Sequence, residues 1–214
     1  MRHAEPQPYR PRSRLHPVIA ISVLEAVRSH DGKAQGSSLD EETGSEAIKL
    51  GRTRSVAAQI ERYTAMVKSG GDVEAQEIAA LFTLVARRPD ADLLFTDAGR
   101  RAGRHAANLT PRLLKLAHAG LPAHLRNRLG RRLVRRAAAR VFDIEVTADC
   151  TSAAAGSECP ASLSPGGQAC GVYGSGLAEL LRGFTPFDGV CFLTQCRARG
   201  SDRCRWSTQH EHED

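Results

Sequence analysis

CGVYGSGLAELLRGFTPFDGVCFLTQCRARGSDRCRW runs from Cys170 to Trp206. Within it, Cys170, Cys196 and Cys204 are separated by 25 and then 7 residues. Val172 to Leu181 has the pattern of a short helix. Gly189 to Cys196 reads as a strand, Arg197 to Arg203 as a polar turn, and Cys204 to Ser207 as a closing strand. Such a hairpin can bring all three thiols together at one end. The stretch therefore predicts a small antiparallel sheet with a helix inserted before it and a thiol cluster at its edge.

Upstream, Phe142 to Asp149 alternates Phe142, Ile144 and Val146 against Asp143, Glu145 and Thr147, the pattern of a half-buried strand. The Gly/Ser/Pro-rich stretch Cys150 to Gln168 reads as a loop. Everything from Ala47 to Val141 has helical period. Ser55–Val67 places Val56, Ile60, Tyr63 and Val67 on one face and stops at Ser69-Gly70-Gly71. Glu74–Arg87 does the same with Ile78, Leu81, Phe82 and Val85, and Pro89 ends it. Leu93–Leu109 carries a stripe of small residues, and its Ala98, Gly99, Ala102 and Gly103 favour close approach by another helix, which makes this face a candidate for homodimer pairing. Thr110-Pro111 reads as an N-cap and first helical residue for a helix to Ala119. A last helix runs from Leu121-Pro122 to Val141, with Leu125, Leu129, Leu133, Ala137 and Val141 as its buried side. Helices followed by strands predict an α+β fold, a helical layer packed on a small antiparallel sheet. Residues 1–46 read as mostly disordered or loosely attached, with one short helix over Ile19–Val27, residues 47–208 as a single domain, and 209–214 as an acidic tail.

The 214 residues carry a net charge of +6, and Arg126 to Arg140 alone holds seven arginines. No apolar run approaches the roughly 18 residues of a membrane span. The apolar stretch His16–Val27 contains Glu25 and lacks a cleavage pattern, so a secretory signal is not expected. Six cysteines are too few for a disulfide scaffold at this length and contain no C-x-x-C, which leaves metal ligation or plain burial as their readings. A cytoplasmic location is expected. Gly171, Gly174 and Gly176 form G-x-x-G-x-G, not the dinucleotide fingerprint, and suit helix packing against the sheet or a ligand. The arginines read first as a solvated face. With few aromatic residues interleaved, nucleic acid is not the expected partner. His105, His118 and His124 read as ordinary helix histidines, any one of which could serve as an axial ligand.

The segment Cys170–Phe184, followed by Cys196–Trp206, resembles the 4-vinyl reductase (hydrocarbon-binding) domain family. Asp97–Pro111, DAGRRAGRHAANLTP, resembles that family's helix with its Pro-terminated turn. The likeness covers Ile48 to Ser207 and is strongest for the small bacteriochlorophyll-biosynthesis members long called 4-vinyl reductases. It implies the fold shared with a subunit of the transport-protein-particle tethering complex, and binding of a hydrophobic small molecule. It also implies a structural zinc at Cys170, Cys196 and Cys204. The family's glutamate ligand falls on Leu193, so the fourth ligand must come from Cys191, Cys159, Cys150 or a histidine, and Cys191 is the candidate carried forward.

The functional expectation is a bacteriochlorophyll-biosynthesis protein that binds a Mg-porphyrin or chlorophyllide as carrier or accessory factor to the pathway's enzymes, peripheral to the photosynthetic membrane. An apolar pocket between helices and sheet would hold the macrocycle, with Arg132, Arg136 and His105 as ligand-binding candidates. The family name implies direct reduction of a vinyl group, but no dinucleotide, flavin or iron–sulfur motif supplies a hydride donor. A hydrophobic small-molecule sensor module is the third reading.

Overall fold

The computed structural model describes residues 14–35, 45–155 and 159–209. A two-residue strand β1 (Arg14–Leu15) leads into helix α1 (Val18–Gln35), and helix α2 (Ser45–Ser69) leads into strand β2 (Val73–Glu74), which pairs antiparallel with β1. Helices α3 (Ala75–Val85), α4 (Ala91–Asn108), α5 (Arg112–Gly120) and α6 (Ala123–Val141) follow. The sheet region then begins with β3 (Ile144–Val146) and β4 (Ser152–Ala155). Two 3-10 turns, Pro160–Leu163 and Pro165–Gly167, precede helix α7 (Cys170–Phe184) and the hairpin β5 (Val190–Gln195) and β6 (Arg205–Gln209). The four-stranded antiparallel sheet has the order β3-β4-β6-β5. The fold is α+β, with helices packed against small antiparallel sheets.

Helix α7 is the centre of the packing. One side lies on α4 and α6, the other on β5. The small-residue stripe of α4 is what lets α7 in. A side chain at Gly99 would collide with Val172 O and Ser175, and one at Gly103 with Gly176 O. Gly176 in turn faces the Phe142 ring and Gly99 O, while Gly174 faces Cys191 O and Trp206. The glycines of α7 therefore serve close packing on α4 and on the hairpin, as the sequence suggested. The Ala98–Gly103 stripe, expected as a dimer face, is consumed by α7 of the same chain.

Further expectations are corrected. The packed domain does not begin at residue 47. Helix α1 is twice the expected length and lies in the core against α4, with Ile19, Ala20, Ser22 and Ala26 fully buried. Residues 1–13, 36–44 and 210–214 lie outside the described residues, and Gln209, assigned to the acidic tail, belongs to β6. The stretch read as a loop contains β4, an interior strand. Its Ala153 stands in register between Val146 on β3 and Trp206 on β6, with Leu193 of β5 beyond. A small residue there leaves room for the indole beside it. Finally, Leu125 is largely exposed and Leu129 only partly buried, so the first half of α6 projects past the core. Thr110 is not the cap of α5, since Pro111 holds that position.

Candidate metal centre and adjoining grooves

Four cysteines converge at the end of the β5–β6 hairpin. Cys196 directly follows β5, Cys204 directly precedes β6, and Cys170 opens α7. The fourth is Cys159, at the start of the first 3-10 turn. All four are buried. The sulfurs of Cys159, Cys170 and Cys204 lie within 4.8 Å of one another, close enough to hold a metal ion. Cys170 Sγ is 3.7 Å from Cys204 Sγ and 3.8 Å from Cys196 Sγ. Four thiolates around a tetrahedral ion, with metal–sulfur bonds of about 2.3 Å, have sulfurs about 3.8 Å apart. Cys159, Cys170 and Cys204 fit the donor type and spacing for such an ion, and Cys196 stands beside Cys170 at the edge of that set.

The backbone is shaped around this cluster. The Ala161 N–H is directed at Cys159 and the Arg197 N–H at Cys204, the hydrogen bonds that stabilise a thiolate. The chain reaches Cys170 through Gly166 and Gly167, both with left-handed φ, of 61° and 72°. At Gly167 any side chain would run into Cys196 Sγ. The Trp206 indole N–H donates to Cys170 O at 3.1 Å, and Tyr173 stacks on Trp206 with ring centroids 5.5 Å apart. These contacts lock the hairpin to the first turn of α7. Hydrogen bonds from Cys159 and Cys170 hold the Cys204 thiol far below the usual range. Cys170 is pushed far above it by its bonds with Cys159 and Cys204 and by burial.

Sequence reading grouped Cys170, Cys196 and Cys204 and named Cys159 only among the alternatives for a fourth ligand; the structure sets Cys159 with Cys170 and Cys204. Cys191, the candidate fourth ligand, is not in the cluster. It pairs with Thr208 in the body of the hairpin, and five strand residues before Cys196 correspond to roughly 15 Å. Burial pushes its thiol up to about 12, so it remains protonated. Cys150 is also apart, with its Sγ against Arg131 O.

The expected pocket between helices and sheet is filled by side chains. Phe142 packs on Tyr173 at 5.9 Å, and Tyr173 on Trp206. The Tyr173 hydroxyl is buried there without a hydrogen-bond partner in the described structure. Open space lies elsewhere. A cleft of about 750 Å³ lies beside the cluster, between Asp92, Gly166, Gly167, Leu193 and Arg199. A basic groove of about 460 Å³ runs along α6, lined by His124, Asn127, Arg128, Arg131, Arg132 and Arg135. A third, of about 610 Å³, includes Phe184 and Pro186 at the end of α7 and shares His124 and Asn127 with the second.

Comparisons of the chain with protein-family models, with curated proteins and with solved structures return no match. The site must be read from its own geometry. Of the ligand-binding candidates, Arg132 lines the basic groove, and Arg136 is exposed on the same helix outside it. His105 is not near either. Its Nε2 lies 3.2 Å from Glu25 Oε2, tying α4 to α1, and the Glu25 carboxyl is held below its usual range chiefly by that hydrogen bond. His124 stands at the junction of the two grooves, and only its place in an arginine-rich run hinted at that in the sequence.

Proposed function

We propose that this is a pigment-holding protein, with its sheet closed by a structural zinc and a Mg-tetrapyrrole bound where the two helical grooves meet. The observation that carries the reading is the junction at His124. On one side stand Arg128, Arg131, Arg132 and Arg135, cations suited to the carboxylates of a tetrapyrrole. On the other stand Phe184 and Pro186, an apolar wall for the macrocycle. His124 itself offers an imidazole to the central magnesium. The family likeness of the Cys170–Trp206 segment points to the same ligand class, and a carrier or accessory role in bacteriochlorophyll synthesis follows from it.

Zinc is the ion we assign to Cys159, Cys170, Cys196 and Cys204. The Cys159, Cys170 and Cys204 sulfurs lie close to one another and Cys196 stands beside Cys170, an all-cysteine set that marks a structural site rather than a catalytic one. The residues would hold the ion, and the ion would cross-link α7 to the hairpin.

Titration of metal-quantified protein with Mg-protoporphyrin tests both assignments. The expected result is a saturable shift of the pigment absorption at one pigment per chain, weakened about tenfold or more by Arg131→Ala with Arg132→Ala. One zinc per chain is expected in the same preparation. An unchanged pigment spectrum at micromolar concentrations would refute the pigment reading, and iron absorption in place of zinc would refute the metal assignment.

A second reading has its own observation. The partnerless Tyr173 hydroxyl favours a small hydrogen-bonding ligand inserted between α7 and the sheet, as in a sensor module. Saturable binding of simple phenols that quenches Trp206, without pigment binding, would select it.

A further inference from the structure

Helix α5 has no buried residue, which sets it apart among the helices. It packs on α6, and Leu113 and Leu116 stand 79% and 70% exposed on one face of it. Leu125, in the projecting first half of α6, is 43% exposed. Exposed leucines clustered on a helix that contributes nothing to the core call for a partner surface.

The charge around them is one-sided. Between Asp97 and Asp143 the chain has no Asp or Glu, and residues 110–142 contain nine Lys and Arg. That exceeds the net +6 of the whole chain, so the remainder is acidic on balance. Arg112 and Lys115 flank the leucines on α5, and Arg126 and Arg128 flank Leu125 on α6.

We infer that the α5–α6 hairpin docks on an anionic lipid surface, with Leu113, Leu116 and Leu125 entering the acyl boundary and the surrounding cations meeting the headgroups. Leucines on one face and cations around them are what an interfacial helix presents. The other occupants fit less well. A second copy would set Arg112, Lys115, Arg126 and Arg128 against their own counterparts, with no acid between Asp97 and Asp143 to pair them. A nucleic acid would leave the leucines unused, and residues 110–141 contain no Phe, Tyr or Trp for stacking. The inference does not depend on the pigment reading, because Leu113 and Leu116 do not line either groove around His124.

The test is co-sedimentation of the full chain with vesicles of phosphatidylcholine alone and of phosphatidylcholine with about a third phosphatidylglycerol. Binding is expected only to the anionic vesicles, falling as salt rises. Leu113→Ser with Leu116→Ser should weaken it about tenfold or more, with the buried Trp206 emission unchanged as evidence of an intact fold. In Leu116→Trp the added indole should shift to the blue on anionic vesicles. No binding to anionic vesicles at low salt would overturn the inference. So would a double serine variant that binds as tightly as the native chain, or duplex DNA held more tightly than the vesicles.

Discussion

Cys159 and Cys191 make opposite predictions although both are partly or wholly buried thiols in the C-terminal half. Cys159→Ser should lose the bound ion as completely as Cys170→Ser, and thermal unfolding should move down by the several kcal/mol a structural zinc contributes. Cys191→Ser should keep the ion at one per chain. Equal retention in all three variants, measured by metal-to-protein ratio, would remove Cys159 from the ligand set. Gly167 gives a steric counterpart. Gly167→Ala must hold a φ of 72° and push a methyl into Cys196 Sγ, so a loss of about 1–3 kcal/mol and weaker metal retention are expected. Gly200→Ala shares the positive φ, at 91°, but faces open space and should lose only about 1 kcal/mol with the metal intact. Chemical denaturation of the two variants side by side separates strain from collision. At this scale the hairpin thiols were legible because strand, turn and strand fix where Cys196 and Cys204 must stand. Cys159 was not. It sits in a stretch without periodicity, and only the double bend at Gly166 and Gly167 brings the chain back to the cluster.

Helix α1 shows what periodicity can hide. Its middle is buried on every side, so it lacks the polar face that marks an amphipathic helix, and its polar flanks made it look detached. Its start is held by His16. The ring is buried, and its Nδ1 accepts the Val18 N–H at 3.3 Å, with Pro17 directly before the first helical residue and its carbonyl accepting the Ile21 N–H. Burial first, then the Arg140 charge, lowers the His16 pKa below its ordinary 6.5, while Asp72 pulls the other way. The unfolded chain therefore takes up the proton more readily than the folded one. This contribution to stability is complete above about pH 6.5 and is lost as pH falls toward the folded-state pKa, below which the loss is constant. His16→Asn keeps a side-chain acceptor that does not titrate. It should flatten the stability profile below pH 6.5. An unchanged slope in that variant would assign the pH dependence to other groups. Strand β4 was hidden for a different reason. Ser-Ala-Ala-Ala has low strand propensity, and its place comes from the Trp206 ring it must stand beside.

Across the molecule, α1, α4, α7 and the sheet succeed one another, so the two ends of the described chain enclose its middle. The class of fold was legible because helical period gives way to alternation at Phe142. The depth of α1 was not, since long-range packing decides it. A chain starting at Ala47 would leave bare the side of α4 that α1 covers, and should show no cooperative thermal unfolding. A sharp transition in that truncated chain would mean that α1 is dispensable. Among the described residues no helix is long and apolar enough to cross a membrane.

The positions of the four proposed ligands also bear on the order of assembly. Cys159, Cys170, Cys196 and Cys204 all fall within 46 consecutive residues, whereas α1 must find α4 across some seventy. Closing the shorter loop is entropically cheaper, and contacts near in sequence form first. Zinc captured by that local segment would fix α7 against the hairpin before the helical layer arrives, giving later contacts a template. Metal present from the start of refolding should then raise the folding rate itself, while metal added after collapse should act on unfolding alone. In stopped-flow kinetics the two limbs of the denaturant profile would respond separately.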